Sequence, residues 1–448
     1  MTRVETRWQS WLTGLPIGSP RPPRPVVKPL EMPLLRAWIM PLALIFGTPV
    51  IALLIAVSVL HQKGEVSTSL FQVVLLPRPS VWALGVIAGW LSFQAVLLRW
   101  LPGRESLGPV TPAGERPAYR LNGMAAWAIS HVAVLAAWFA GTFSATSFYR
   151  QYGELLVTLN VLALLFCVFL SWKGRYWPTG ADTVLTGLWA FDFFQGPELH
   201  PRLFGVQLKQ LINCRMSMMG WSVTWLVMLL AQYEQTGAAS PGMVASTVVL
   251  VAYLAKFFWW EDGYFGSIDI IHDRFGYYIA WGVLVWVPAV YCLPAFWMVE
   301  HPSTLSAPAA GLVALLGLVS IAVNYAADAQ RQRVRATDGQ TTIWGRPPEL
   351  IRAPWVSGDG VSRSSLLLVS GWWGISRHFN YVPELALAFA WTVPSGFTHV
   401  LPWFYWVFLL ILLTDRARRD EKKCAAKYGD AWVEYCRRVR WRILPWVY

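Results

Sequence analysis

The sequence is poor in charged residues. Asp, Glu, Lys and Arg make up 14% of the 448 residues and 55% of the residues are hydrophobic, whereas soluble domains carry about 25% charged residues. This balance excludes an ordinary soluble domain and indicates a membrane protein. The net charge is +12, but the basic residues flank apolar segments. We therefore expect membrane lipid and an anionic ligand as partners, and no nucleic acid.

Several other patterns are missing. The five cysteines include no pair at CxxC spacing, so we predict neither a disulfide framework nor a thiolate metal site. No GxGxxG motif follows a strand, which excludes a Rossmann domain. Residues 1–36 are basic and rich in proline without the apolar core of a signal peptide, and we expect them to form a flexible arm.

Long apolar segments fill most of the remaining chain. A membrane-spanning helix needs about 20 mostly apolar residues. Pro394, Gly396 and Pro402 interrupt the last apolar stretch, which we predict to be two short helices in a hairpin. The sequence therefore predicts an all-α polytopic membrane protein with about ten transmembrane helices. The predicted spans are 38–60, 81–97, 125–145, 155–172, 218–232, 243–260, 277–299, 307–326 and a pair within 385–413.

The basic residues also predict an orientation. Lys and Arg are frequent in the N-terminal arm, after the predicted spans two, four and eight, and in the C-terminal tail, but the connections 234–240 and 300–306 contain none. By the positive-inside rule, both termini face the cytosol. We divide the chain into the arm 1–36, a set of N-terminal transmembrane helices in 37–215, and a C-terminal functional core in 216–448.

Three polar segments in this core are candidates for a ligand site: 331–335, 370–381 and 415–435. Arg331 and Arg335 lie four residues apart, so both guanidinium groups share a helix face and match the geometry of a phosphate. The alternative is a helix end whose cationic side chains reach the lipid headgroups.

The second and third segments add flat rings and hydrogen-bonding groups. Trp372 and Trp373 neighbour Gly371 and Gly374, an arrangement that lets a planar ligand stack, although an interfacial aromatic belt would look similar. The third segment carries a helical stripe that indicates sugar and base contacts, or else an amphipathic surface tail. The further ligand-binding candidates are Arg377, His378, Asn380, Tyr381, Arg416, Asp420, Cys424, Lys427, Tyr428 and Tyr435.

We interpret the three segments together as a cytosol-facing pocket for a phosphate-bearing dinucleotide that opens onto a lipid-like substrate. Proton donors are predicted elsewhere. Asp269 and His272 share a helix face with Asp273, and a carboxylate–imidazole cluster at a membrane edge can hold a transferable proton. Glu261 and Tyr253 are further acid candidates. Helix capping and salt bridges are the alternative explanation, and we predict no metal site.

Six segments resemble the membrane sterol reductase family, which has a C7 and a C14 branch. They are 191–202 (FDFFQGPELHPR), 268–276 (IDIIHDRFG), 368–381 (LVSGWWGISRHFNY), 412–421 (LLTDRARRDE), 427–435 (KYGDAWVEY) and 442–448 (RILPWVY). Phe379 and residues 337–347 (TDGQTTIWGRP) are closer to the C7 branch.

The resemblance implies an activity and a cofactor. The family reduces a sterol ring double bond with NADPH, by protonation and hydride transfer, on a sterol held within the bilayer. It implies that Arg331 and Arg335 bind phosphate, that Leu368, Trp373, Asn380 and Tyr381 line the nicotinamide end, and that the third segment holds ribose and adenine. We expect reduction of the C7–C8 bond, with the C14 bond as the alternative. The membrane would be the endoplasmic reticulum in a eukaryote and the inner membrane in a bacterium.

Departures from the family pattern leave other classes open. Lys256, Val283 and Pro294 stand where the family usually has polar or acidic side chains around the sterol cavity. A catalytically silent sterol-binding protein, similar to the membrane half of the lamin B receptor, is therefore an alternative. The isoprenylcysteine methyltransferases share a related C-terminal pattern, but they lack the segments at 191–202 and 268–276.

Overall fold

A computed structural model describes residues 26–27, 32–61, 77–356 and 362–448. Most of the predicted arm 1–36 lies outside these ranges. The described chain is mainly helical, which confirms the predicted fold class. It forms two compact units. The N-terminal unit comprises Met1–Ala239 and Leu254–Pro302, and the C-terminal unit comprises Ser240–Tyr253 and Ser303–Tyr448. The predicted core 216–448 contains parts of both.

The helices up to residue 300 are long and apolar, with short connecting helices between them. A serine caps two of them, because Ser80 Oγ accepts from the Ala83 amide and Ser144 Oγ from the Ser147 amide. In chain order they are Leu35–Ile39 (π-helical) with α1 (Met40–His61), α2 (Val81–Trp100), α3 (Gly123–Phe139), α4 (Ala145–Arg150), α5 (Tyr152–Tyr176), α6 (Trp189–Gln195), Gln210–Met218 (π-helical) with α7 (Met219–Thr236), α8 (Pro241–Trp259), α9 (Glu261–Phe265), α10 (Ile268–Ile271), α11 (Tyr277–Trp281), Gly282–Tyr291 (π-helical) and α12 (Leu293–Glu300).

Short strand pairs join some of these helices. The antiparallel pairs are β2 with β3 and β5 with β6, and a parallel pair joins β1 to β4. Their bounds are β1 (Val26–Val27), β2 (Arg104–Leu107), β3 (Ala118–Leu121), β4 (Val184–Leu185), β5 (Arg202–Leu203) and β6 (Val206–Gln207).

Seven helical segments are long and apolar enough to cross a membrane, within the part of the chain that the structure describes. A further apolar helix, α3, has 17 residues. Of the roughly ten predicted spans, seven correspond to these segments and an eighth corresponds to the shorter helix α3. The final pair proves to be two helices with a break between them, as the proline and glycine positions indicated, although the second continues far beyond its apolar part.

Glycines allow two of the sequence motifs to meet in the N-terminal unit. Gly196 has φ +86°, and a Cβ built on it would lie 2.4 Å from the Gly276 nitrogen. The Phe275 amide also donates to the Glu198 carbonyl, at 2.9 Å. Only glycine permits this backbone approach, so the 191–202 and 268–276 segments form one packed structure.

The C-terminal unit combines a long helix, a β-hairpin and the two last helices. Its elements are the first part of α8 (up to Tyr253), α13 (Ala307–Ala336), β7 (Leu350–Val356), β8 (Ser362–Leu368), α14 (Trp372–Ile375), α15 (Tyr381–Thr392) with Val393–Ser395, and Leu401–Trp403 with α16 (Phe404–Tyr428) and α17 (Asp430–Arg438).

The β7–β8 hairpin was not predicted from the sequence. Successive strand residues point to opposite faces. Leu366 and Leu368 pack with Val334 and Trp373 on one face, and Leu367 packs with a cluster on the other. The hairpin therefore joins α13 to the C-terminal helices. That second cluster also contains Trp432, Tyr435 and Val439.

Candidate ligand site and proton donors

The structure brings the three predicted polar segments together in the C-terminal unit. The Arg331 Cζ atom lies 3.9 Å from the centre of the Trp373 ring, a cation–π contact. Trp373 Nε1 donates to the Ala327 carbonyl at 2.8 Å, and Tyr435 Oη donates to the Trp373 carbonyl at 3.5 Å. One residue of the second segment thus contacts both α13 and α17.

Positive charge is concentrated on the α13 side of this cluster. Arg335 is exposed and lies within electrostatic range of Arg331, Cys424, Tyr428 and Tyr435. Like charges four residues apart on a helix repel. Arg331 bonds to Asp328 at 3.3 Å, with more than a third of its side chain exposed. Two guanidinium groups with so little acidic compensation form a suitable site for a phosphate.

Helix α16 supplies the opposite side. Asp420 is half-buried, and Cys424 Sγ lies 3.9 Å from its Oδ2 atom. Tyr428 Oη donates to Ser365 Oγ at 3.3 Å, and Lys427 Nζ lies 3.6 Å above the Trp355 ring. The C-terminal end of the predicted stripe on α16 therefore contacts the β7–β8 hairpin. Asp420, earlier in the stripe, lies nearer to the second segment.

His378 is the clearest unsatisfied group in this cluster. Its side chain is 6% exposed, and its Nε2 atom has no hydrogen-bond partner among the described residues. The ring stacks on Tyr381 with 5.3 Å between centroids. Burial lowers the pKa of His378, against the opposing influence of the Asp420 and Glu421 carboxylates. A buried, neutral imidazole with a free nitrogen is a suitable partner for a ligand hydroxyl or amide.

Arg377 is bonded to groups of the protein. Its guanidinium donates to Glu421 Oε1 at 2.7 Å and to the carbonyls of Val439 and Arg440 at 2.6 and 2.9 Å. Glu421 also accepts from Arg442 at 2.6 Å. These contacts fix the C-terminal segment, and a ligand contact of Arg377 stays a prediction.

The remaining predicted ligand residues lie around the same cluster. Leu368 is buried beside Trp373 at the end of β8. Asn380 and Tyr381 are half-buried at the start of α15, and Arg416 is half-buried one turn before Asp420. The Asn380 carbonyl accepts from Asn324 Nδ2 at 3.0 Å. The predicted set therefore occupies one region of the C-terminal unit.

Tyr253 is the one predicted proton donor that belongs to this unit. Its Oη atom donates to Glu384 Oε1 at 2.7 Å. The other Glu384 oxygen accepts from Asn324 Nδ2 at 3.3 Å. Since Asn324 also bonds to Asn380, a hydrogen-bonded chain connects the Tyr253 phenol to the residue beside Tyr381.

Sequence reasoning missed Glu384 and Asn324. A signal for Glu384 was present, because it is an acidic residue directly after the 368–381 segment. The sequence alone did not show that this carboxylate meets Tyr253, which lies 131 residues earlier in the chain.

The other three proton-donor candidates lie in the N-terminal unit. Glu261 is 3% exposed and forms a buried ion pair with Arg215, at 2.5 Å between Oε1 and Nη1. It also accepts from the Gly123 amide at 3.1 Å. Both Glu261 oxygens are thus bonded inside the protein, an arrangement typical of a structural ion pair, and its predicted catalytic role stays a prediction.

Asp269 and His272 lie in and just after α10, where Asp269 is half-buried and His272 is exposed. The buried Lys209 holds this segment by donating to the carbonyls of Asp269, Ile270 and Asp273 at 3.1, 2.9 and 2.5 Å. Whether either side chain gives a proton stays a prediction.

Comparison with known proteins gives the same assignment as the motifs. A model described as the ergosterol biosynthesis ERG4/ERG24 family matches residues 28–448. The 7-dehydrocholesterol reductase of Arabidopsis thaliana is 40% identical over 417 residues, which cover 91% of this chain and 96% of that protein.

Two further relatives span both branches. The 7-dehydrocholesterol reductase of Xenopus laevis is 35% identical over 381 residues, covering 81% of this chain and 80% of that protein. The Delta(14)-sterol reductase of Methylotuvimicrobium alcaliphilum is 35% identical over 378 residues, covering 83% and 84%. The match extends over most of the chain and includes the motif-bearing segments, and the chain therefore belongs to the ERG4/ERG24 family of sterol reductases.

Proposed function

We propose that this chain reduces the C7–C8 double bond of a sterol with NADPH, using Tyr253 as the proton donor. The observation that carries the proposal is the hydrogen-bonded chain from Tyr253 through Glu384 and Asn324 to Asn380. It connects an acidic hydroxyl group to the cluster of arginine, histidine and aromatic side chains within one unit. The relatives named 7-dehydrocholesterol reductase support the choice of bond.

The cluster fits NADPH in its charge and its unsatisfied groups. Arg331 and Arg335 would hold phosphate, Asp420 would accept from a sugar hydroxyl, and the free Nε2 of His378 would meet a polar group of the cofactor. Trp373 and Tyr381 would border the nicotinamide. The chemistry that NADPH supplies when bound is a hydride.

The protein's own part in the reaction is proton delivery. The Tyr253 phenol gives its proton to one carbon of the ring double bond, and the adjacent carbon becomes cationic. The Tyr253 phenolate then regains its proton from solvent water by way of Glu384, whose carboxylate takes up that proton and passes it to the Tyr253 oxygen across the 2.7 Å contact. Asn324 holds the carboxyl group in position throughout.

The sterol would enter from the bilayer, because the chain is an integral membrane protein with many apolar helices. The distribution of Lys and Arg supports a cytosolic position for both termini and for the ligand cluster. The endoplasmic reticulum or a bacterial inner membrane is the corresponding location.

The test is an assay on membranes that carry the full chain. With NADPH and a 5,7-diene sterol, we expect loss of the conjugated-diene absorbance and formation of the C7-reduced product. A catalytically silent sterol-binding protein would give neither, and a methyltransferase would use S-adenosylmethionine and ignore NADPH; either result would disprove the proposal.

The second candidate is reduction of the C14 bond, favoured by the relative from Methylotuvimicrobium alcaliphilum. The same membranes should then consume an 8,14-diene sterol and leave the 5,7-diene unchanged. Parallel incubations with the two dienes, with product identification by mass spectrometry, separate the two bond specificities.

A further inference from the structure

The N-terminal unit contains a large cavity that none of the proposed reaction residues lines. Its volume is about 660 Å³, which lies within the range of about 300–1,000 Å³ that small-molecule sites have. Helices α2, α3, α5 and α7 contribute to its wall, together with the α3–α4 loop, α4 and the π-helical segment Gly282–Tyr291.

The cavity extends along α2 from Trp82 to Phe93. At 1.5 Å per helical residue this is about 16 Å, or roughly half of the ~30 Å hydrocarbon thickness of a bilayer. A molecule that fills it would span about one leaflet. Aromatic side chains are prominent in the wall, among them Trp90, Phe148 and Trp221, and such rings favour a flat, rigid molecule over a flexible chain.

The polar groups of the cavity are unevenly distributed. Deep inside, Ser130 Oγ donates to the Ala126 carbonyl at 2.8 Å and Ser217 Oγ to the Val283 carbonyl at 2.6 Å. At the loop end, Thr142, Ser144 and Ser147 are exposed hydroxyl-bearing residues. A ligand with one small polar group would therefore place that group at the loop end and its apolar body inside.

Charge excludes an anionic lipid. Among the described residues that line the cavity, none carries a charged side chain. The nearest charge that the loop end contacts is negative, since Glu234 accepts from Ser144 Oγ at 3.1 Å and from the Ala145 and Thr146 amides at 3.0 and 2.8 Å. A phosphate or carboxylate headgroup would face the Glu234 carboxylate, and no lysine or arginine is among the described residues that line the cavity.

Two glycines keep the cavity open. Gly85 and Gly89 lie one turn apart on α2 and line the cavity, and a Cβ built on either would meet nothing within 4 Å. Glycine within a helix is less favourable than alanine by about 0.8–1 kcal/mol, and no neighbouring protein group requires it at these two positions. Their effect is to leave room for a ligand.

We propose that this cavity is a sterol-binding site of the N-terminal unit, in which a neutral sterol lies with its hydroxyl group at Thr142, Ser144 and Ser147. The choice of a sterol among flat, hydroxylated lipids rests on the proposed function. The site itself rests on the volume, length, charge and glycine positions of the cavity.

The test uses the purified full chain in lipid nanodiscs and a sterol that carries a photoreactive diazirine and an alkyne tag. We expect cross-linked peptides within 82–93 and 142–152, and unlabelled sterol should compete. Equal competition by diacylglycerol or phosphatidylcholine, or labelling only outside these segments, would overturn the proposal.

Variants that fill the cavity make the test specific. Gly85→Leu and Gly89→Leu add a side chain at positions where a built Cβ meets nothing within 4 Å, and we expect sterol binding about tenfold weaker, which corresponds to 1.4 kcal/mol. Gly311→Leu is the matched control, because Gly311 lies within helix α13 with nothing near its Cβ and outside the cavity. Unchanged binding in both cavity variants, with an intact thermal unfolding transition, would overturn the proposal.

Labelling requires neither NADPH nor turnover. A protein that is labelled as expected but reduces no diene would disprove the proposed function and leave this site standing. A protein that reduces the diene but shows no cavity labelling would disprove this site and leave the proposed function standing.

Discussion

The two compact units offer a contrast between buried, paired cations and two partly exposed arginines, although the C-terminal unit also has a buried pair, Arg377 with Glu421. In the N-terminal unit the ion pairs are closed: Lys173 Nζ lies 2.7 Å from Glu198 Oε2, and Thr179 bonds to the second Glu198 oxygen. In the C-terminal unit, Arg331 and Arg335 have little acidic compensation, and His378 keeps a nitrogen without a partner among the described residues. Buried ion pairs whose atoms are all hydrogen-bonded have structural roles, whereas polar groups without partners indicate where a ligand can bind.

The largest expected effect concerns Tyr253. Tyr253→Phe removes the proton but keeps the ring, and general acid catalysis contributes about 10²–10⁴-fold. We expect kcat for diene reduction to fall by that factor while the Kd for NADPH stays unchanged, measured by quenching of protein fluorescence. Tyr233→Phe, on an exposed side chain of α7, is the control and should retain activity.

An unchanged kcat for Tyr253→Phe would show that the Tyr253 phenol does not donate the proton. Loss of NADPH binding in the same variant would instead assign it to the ligand site.

The next effect should fall on stability alone. Glu261→Ala leaves the fully buried Arg215 guanidinium without its partner, and breaking a buried pair costs about 3–5 kcal/mol. We expect a clearly lower midpoint of thermal unfolding in detergent. Glu434→Ala, which breaks an exposed pair with Arg437, should change it little. A stable Glu261→Ala protein without activity would return Glu261 to the list of catalytic groups.

The ligand cluster should respond in affinity rather than in stability. Arg331→Ala and Arg335→Ala each remove a charge-assisted contact of about 1.5–3 kcal/mol, so NADPH should bind about 10- to 100-fold more weakly. Arg333→Ala, on the same helix but outside the cluster, is the matched control. If all three variants bind NADPH like the unmodified chain, the cluster is not the cofactor site.

The smallest effect concerns pH. Burial lowers the pKa of His378 in the folded protein, whereas an unfolded histidine titrates near pH 6.5. Below about pH 6.5 the unfolded chain binds more protons, so this contribution to stability is present at neutral pH and declines as the pH falls towards the folded pKa. His378→Gln should show a flatter dependence of unfolding temperature on pH between 5 and 7. An identical slope in both proteins would contradict a neutral buried imidazole.

The sequence was informative where a local pattern decides the structure. Apolar length identified the long helices, and Pro394, Gly396 and Pro402 identified the break before α16. The spacing of Arg331 and Arg335, together with the polar residues at 370–381 and 415–435, indicated three segments that do meet in the structure. Each of these depends on residues close together in the chain.

Long-range partners were beyond such reasoning. The pairing of Tyr253 with Glu384, and of Glu261 with Arg215, joins residues 131 and 46 positions apart. Since the sequence does not show these contacts, Glu261 and Tyr253 were equally good candidates for the proton donor. The β7–β8 hairpin was missed because many of its residues are exposed, and its buried positions are limited to Ala353 in β7 and Leu366–Leu368 in β8.

The contacts at the end of the chain have a practical consequence for anyone who purifies it. The Arg377 and His378 amides donate to the carbonyls of Trp441 and Arg442, at 2.9 and 2.8 Å. Removing the last eight residues would release the loop that holds the imidazole. Truncation at this end of the chain should therefore disturb His378 even though the deleted residues lie more than 60 positions away from it in the sequence.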